Sequence, residues 1–295
     1  MAAGIMQAIE LEYESFTPSF RKVADYLRDH QREAQYLSIS ELSDECGVGK
    51  ATISRFCGAL GFDGYSRLKL ALAHSVADRD VAGPVRPSQS AHAAAAPAGT
   101  EPALVPAAER ARDLLAANVA VMSQTLQTMD FSAVERAAVL MRDAQSVYCL
   151  GHGGCQLIAA DAWSHFLTIS PKFHNVCDSH LQILTASLLD ETAVVLFVSF
   201  LGATRDAADV LVPARRRGAK VVLVTHYASS PAAEIADEVL VCGGRETPLE
   251  SGSIIAKTSM LFAIDLLAGE YCRISGEEAL ANRDASAEAL TARML

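Results

Sequence analysis

Residues 193–210 constrain this chain more than any other stretch. Ala193 to Val198 reads Ala-Val-Val-Leu-Phe-Val, an apolar run rich in β-branched residues and too short for a buried helix. It predicts a strand covered on both faces. From Asp206 the pattern turns helical, with Ala207, Val210 and Leu211 on one face. Ser199, Gly202 and Thr204 lie between. A loop of hydroxyls and glycine there suits an anion, because free backbone N–H groups and the positive end of a helix dipole aim at one spot. An ordinary βα turn with Thr204 as N-cap fits the same spacing. The residues alone leave both readings open.

The same alternation runs through the rest of 107–295. Helices are expected over 107–129 and 132–143. A strand over 146–150 leads into Gly151-His152-Gly153-Gly154-Cys155, followed by a helix over 156–168. Further strands are expected at 173–176, 220–225 and 239–242. Further helices are expected at 181–188, 206–217, 231–235, 254–268 and 277–294. Such alternation predicts a mainly parallel sheet flanked by helices, a three-layer, flavodoxin-like α/β domain. Ligands in these sheets sit at the carboxyl ends of the strands, at the switch point. The loops 151–155 and 199–204 would meet there.

Residues 1–78 read as all-helical. Thr17-Pro18 is an N-cap followed by proline at the first helical position. A short helix over 38–45, capped by Ser38 or Ser40, is followed by the turn Cys46-Gly47-Val48-Gly49. A third helix spans 50–60, with Ile53, Phe56, Cys57 and Leu60 inward and Lys50, Thr52, Ser54 and Arg55 outward. Another amphipathic helix covers 65–77. A short helix, a glycine turn and a helix with hydroxyls and cations outside is a helix-turn-helix arrangement. Its second helix must be slim and able to hydrogen-bond bases and phosphates in a major groove. A plain three-helix bundle with a solvated polar face is the competing reading.

Five of the ten prolines fall in 79–106, among alanines and few large apolar side chains, which predicts a linker. The net charge of −10 argues against nucleic acid. Residues 48–75, however, carry Lys50, Arg55, Arg67 and Lys69 against the single acid Asp63, so that segment is locally basic. Seven scattered cysteines without a CxxC pair suit free thiols in a reducing cytoplasm, and no disulfide framework, metal site or cofactor is expected. No membrane span or secretory signal is expected either.

Thr17-Pro18, Ser40-Glu41-Leu42, Gly49-Lys50-Ala51-Thr52-Ile53-Ser54-Arg55-Phe56 and Leu60-Gly61-Phe62 with Gly64-Tyr65 and Leu68-Lys69 together resemble the helix-turn-helix of RpiR/MurR-type bacterial regulators. The second domain resembles the sugar isomerase (SIS) domain of that family. It does so through 151–155, 199–204, Gly218-Ala219-Lys220, Ser230-Pro231, Ala236-Asp237 and Ile264-Asp265-Leu266-Leu267. The resemblance implies a ligand-responsive transcriptional regulator that binds double-stranded operator DNA and senses a phosphorylated sugar or sugar derivative, as a homodimer or homotetramer. Two departures stand out. Gly154-Cys155 replaces the paired serines usual in the first loop, and Leu201 replaces a second serine in the other. Backbone amides must then do more of the holding.

The candidate ligand-binding residues are Gly153, Gly154, Cys155, Ser199, Gly202, Thr204 and Glu250. Glu250 is placed there because SIS proteins often carry a glutamate near the sugar. Candidate DNA contacts are Lys50, Thr52, Ser54, Arg55 and Lys69. Arg205 is either an anion partner or an exposed helix start. Cys155 precedes a helix, where a thiol pKa falls, or is simply small enough to fit beneath a ligand. An enzyme, a phosphosugar isomerase or lyase with an appended helical domain, is the alternative, with Glu250 or a histidine as base. A scaffold that has lost its ligand is a third.

Overall fold

The computed structural model of the chain describes residues 5–82, 106–244 and 253–292. It divides into two compact units, with the division falling at Ala117/Asn118.

The first unit is helical: α1 (Ile5–Glu12), a 3-10 turn (Tyr13–Ser15), α2 (Pro18–Asp29), α3 (Gln31–Ala34), α4 (Ile39–Cys46), α5 (Lys50–Ala59) and α6 (Tyr65–Ala82). Local chemistry sets the boundaries. Thr17 Oγ1 accepts from the Phe20 N–H ahead of Pro18. Ser38, not Ser40, caps α4, in a reciprocal box with Glu41, a device contributing about 1 kcal/mol. Gly47 closes α4 in the left-handed region (φ 60°), where a side chain is disfavoured. The expected inward face of α5 holds: Ile53, Phe56 and Cys57 are fully buried. Phe16 and Phe20 pack edge-on against Phe56 at 5.3 and 5.5 Å. The sequence reading missed α1, whose Ile5, Met6 and Ile9 are buried in the same core.

The second unit is reached through α7 (Ala107–Thr128). It continues with α8 (Phe131–Asp143), β1 (Ser146–Gly151), α9 (Gly154–Leu167), β2 (Phe173–Asn175), α10 (Ser179–Leu188), β3 (Ala193–Val198), α11 (Arg205–Arg216), β4 (Lys220–Thr225), α12 (Pro231–Ile235), β5 (Glu238–Val241) and α13 (Ile254–Thr291). The strands are all parallel, in the order β2-β1-β3-β4-β5. Every residue of β3 is buried, as its unbroken apolar run requires. Each large side chain there contributes about 1.5–3 kcal/mol on burial. Helices α8, α9 and α13 cover one face, and α10, α11 and α12 the other.

Several boundaries differ from expectation; α10, for one, begins at Ser179. Gly154 and Cys155 belong to the first turn of α9, because Gly153 (φ 56°, ψ −127°) makes the turn before them. The two expected C-terminal helices run together through Gly269, and the break comes at Gly276 (φ 57°, ψ −130°). Helix α6 continues past 77 to Ala82, and most of the expected linker lies outside the described residues. Among the described residues no helix is long and apolar enough to cross a membrane.

Candidate functional site

The sheet order places a switch point between β1 and β3, because the connection after β1 leads to β2 on one side and the connection after β3 leads to β4 on the other. Their last residues, Gly151 and Val198, are register partners, so the two expected loops emerge side by side. Gly151 must be glycine, since a Cβ there would lie 2.9 Å from the Val198 carbonyl oxygen and 3.0 Å from that of Cys155. Cys155 Sγ accepts a hydrogen bond from the Phe200 N–H at 3.4 Å, joining one loop to the other.

The first loop is held from below. Gln182 of α10 is fully buried, and its amide reaches the Gly151 carbonyl at 2.9 Å and Gln156 Oε1 at 2.8 Å. His152 is half-buried beside Phe197 (5.8 Å between rings). Its Nδ1 is buried and meets no hydrogen-bond partner among the described residues. Burial lowers its pKa, with Asp206 and Asp209 opposing. The stem of Lys257, in the first turn of α13, comes up to the start of α9: its Cε lies 3.8 Å from where a Cβ of Gly154 would stand. A cation beside the positive end of a helix is unfavourable unless an anion lies between them.

In the second loop Ser199 is buried, and its hydroxyl oxygen accepts from the Gly202 N–H at 3.1 Å. Gly202 adopts φ 60°, and its carbonyl accepts from the Ala232 N–H at 2.9 Å. Thr204 is exposed and is the N-cap of α11, accepting from the Ala207 N–H at 3.3 Å. The turn reading therefore holds for Thr204. Arg205 is the exposed helix start, 3.9 Å from Asp209 and 93% exposed in its side chain. Leu201 is exposed. Glu250 lies outside the described residues.

On the first unit Lys50, Ser54 and Arg55 are exposed and Thr52 is half-exposed, all on the face of α5 away from the core. The Arg55 guanidinium folds along its own helix, reaching the Ala51 carbonyl at 3.3 Å and Thr52 Oγ1 at 3.5 Å. Lys69 corrects the expectation. It is buried on α6, and its ammonium donates to the Tyr36 carbonyl at 3.2 Å. It serves the bundle, and Arg67 is the exposed cation on that turn.

Residues 3–79 match the rpiR-family helix-turn-helix domain, and residues 140–269 match the SIS domain. The chain belongs to the RpiR family of helix-turn-helix transcriptional regulators. It is similar along nearly its whole length to an uncharacterized HTH-type transcriptional regulator of Haemophilus influenzae. The two are 28% identical over 283 residues, covering 95% of this chain and 93% of the relative. The regulator RpiR of Escherichia coli K12 is 26% identical over 286 residues, covering 95% and 90%. The Vibrio vulnificus NanR protein, solved complexed with ManNAc-6P, has the same fold. Its TM-score is 0.83 at 22% identity, over 98% of this chain and 99% of that one.

Two groups in this RpiR-family regulator escaped the sequence reading. Lys257 and Gln182 lie far along the chain from the loops they support, and only a cation or amide inside an otherwise apolar helix pattern hinted at them. His226, at the end of β4, is buried, and its Nδ1 donates to the Gly244 carbonyl at 2.9 Å. Burial pushes its pKa down to about 4, while the unfolded chain titrates near 6.5. The unfolded state thus binds the proton more readily. Stability should rise with pH from about 4 to 6.5 and stay level above, a span of roughly 3 kcal/mol. Urea unfolding at pH 7.5 and 5 is expected to show the loss on acidification, reduced in His226→Phe. An equal acid loss in that variant would assign it to other groups.

Proposed function

We propose that this regulator binds operator DNA through α5 and an anionic sugar, in the first place a phosphorylated sugar or sugar derivative, in the crevice between the β1 and β3 loops. The observation that carries the second half is Lys257, whose Cε lies beside Gly154 at the N-terminus of α9. An anion there is favoured by both the ammonium and the helix dipole. Gly153 and Gly154 would supply backbone amides on one side, with Cys155 beneath them tying this loop to the other. On the other, the Ser199 and Thr204 hydroxyls would donate to it, Gly202 would shape the turn that presents them, and Glu250 would meet the sugar. NanR, with its bound ManNAc-6P, makes amino-sugar phosphates the first class to try. Lys50 and Arg55 would reach phosphates and base edges, with Thr52 and Ser54 beside them.

The protein acts in the cytoplasm as a homodimer or homotetramer, placing two copies of α5 on a palindromic site. The effector changes operator affinity because it binds one arrangement of the assembly better than another. It does not turn the sugar over. An isomerase would use His152 or Glu250 as base and would interconvert aldose and ketose phosphates.

Thermal unfolding of the full chain with a panel of sugar phosphates and their unphosphorylated parents tests the crevice. At about a hundredfold over Kd a ligand stabilises by roughly 2.7 kcal/mol, which raises Tm by several degrees. At least one phosphorylated sugar should do so and its parent should not. Lys257→Ala should lose most of the shift. Equal shifts with phosphate and parent, or an undiminished shift in Lys257→Ala, would place the anion elsewhere.

A further inference from the structure

An unbroken run of contacts leads from the crevice to α7, the helix through which the chain passes back toward the helix-turn-helix. It starts with Cys155 Sγ and the Phe200 N–H at 3.4 Å. The Phe200 carbonyl accepts from the His226 N–H at 3.1 Å, and the two rings lie 4.1 Å apart, tilted by 33°. His226 Nδ1 donates to the Gly244 carbonyl at 2.9 Å. The Gly244 N–H then donates to Gln124 Oε1 at 3.0 Å, and the Gly243 N–H to Thr125 Oγ1 at 2.9 Å.

The two glycines let the loop backbone lie directly on the helix. A Cβ on Gly243 would stand 2.7 Å from the Thr125 nitrogen and 2.9 Å from the Val121 carbonyl oxygen. One on Gly244 would stand 2.7 Å from Val121 Cγ2. Thr125 is fully buried, and its hydroxyl also donates to the Val121 carbonyl at 2.8 Å. A buried hydroxyl committed in both directions fixes orientation in a way that apolar packing alone does not. Neither end of this run can shift without breaking a named bond or opening a gap against backbone.

We infer that His226, Gln124 and Thr125 are positioning residues that make α7 follow the state of the crevice. The role rests on reading the crevice as the effector site, and it adds the route by which occupancy there reaches the DNA-binding unit. A change at Phe200 moves the His226 ring and the Gly243–Gly244 backbone, and through Thr125 and Gln124 it moves α7.

The experiment needs no effector. Hydrogen–deuterium exchange is followed on the full-length wild type, Phe200→Ala and His226→Phe, which keeps a ring but loses the Nδ1–H. Both variants should speed exchange of α7 amides 119–128 by about tenfold or more, with α8 amides 133–141 within about twofold of wild type. Unchanged α7 exchange, or α7 and α8 rising together, would overturn the inference. Operator affinity gives a second readout, using a duplex selected by the protein itself. Phe200→Ala should change it in the wild-type background and have little further effect in Thr125→Val. Additive effects would mean that the run stops at α7. If the wild type selects no duplex, the functional reading fails, while the exchange data still decide the contact route.

Discussion

Replacing Arg55 with alanine should weaken operator binding about tenfold or more, with thermal stability unchanged. The side chain is exposed on α5, and among the described residues its bonds go to its own helix turn, at the Ala51 carbonyl and Thr52 Oγ1. Truncation therefore removes no core contact. Ile53, Phe56 and Cys57, which hold α5 in the bundle, lie on the opposite face and are untouched. An arginine reading a base edge contributes about 1–3 kcal/mol and relaxes specificity at one position when lost; one on phosphate weakens all sequences alike and lowers the salt dependence. Fluorescence anisotropy against selected and scrambled duplexes at several salt concentrations separates these cases. Wild-type affinity in the variant would remove Arg55 from the interface. Lys69→Ala is the informative contrast: it should lower stability through the lost bond to Tyr36 before it alters any DNA contact.

Gly202→Ala should lower the melting temperature by about 5–15 °C and abolish the effector response, leaving operator binding in place. Gly202 sits at φ 60°, where alanine is strained by about 1–2 kcal/mol. Its new Cβ would also overlap Ser230 Oγ and stand 2.7 Å from Ser230 Cβ, an overpacking cost of about 1–3 kcal/mol. Relief requires the loop to move. That breaks the Ser199–Gly202 and Ala232–Gly202 bonds that shape the second cradle. The helix-turn-helix has its own core, so DNA binding survives. Adding Ser230→Gly in the same background should recover part of the stability, because it removes the overlap and leaves the backbone strain and the lost α12 cap bond to the Ala233 N–H, the latter about a few tenths of a kcal/mol for glycine. A variant with wild-type stability and response would show that this turn does not depend on glycine.

The backbone plan was legible in the chain because its signals are local. The run Ala193–Val198 could only be a doubly covered strand, and Thr17-Pro18, Ser38 with Glu41, and Gly47 carry their caps within four residues. The meeting of the 151–155 and 199–204 loops followed from strand alternation and the switch-point rule. What failed was set by distance or by glycine. Glycine disfavours a helix, so Gly154 hides the start of α9, which the sequence places two residues late. Lys69 reads as one more surface cation until α6 turns it toward Tyr36. Lys257 reaches Gly154 across a hundred residues, and Thr125 meets Gly243 across a similar span. No periodicity encodes such pairs. Thr204 shows a further limit: its N-cap role and a ligand-facing role use the same residue at the same spacing.

The measurement that bears most directly on the whole account is operator affinity of the full-length protein, by anisotropy, as phosphorylated sugars are titrated in. At least one sugar phosphate should shift the apparent Kd about tenfold or more. Its dephosphorylated parent should be inert, and Lys257→Ala should blunt the shift. No shift with any sugar phosphate, or an equal shift with the parent sugar, would contradict an anion held between the two loops as the signal that DNA binding obeys.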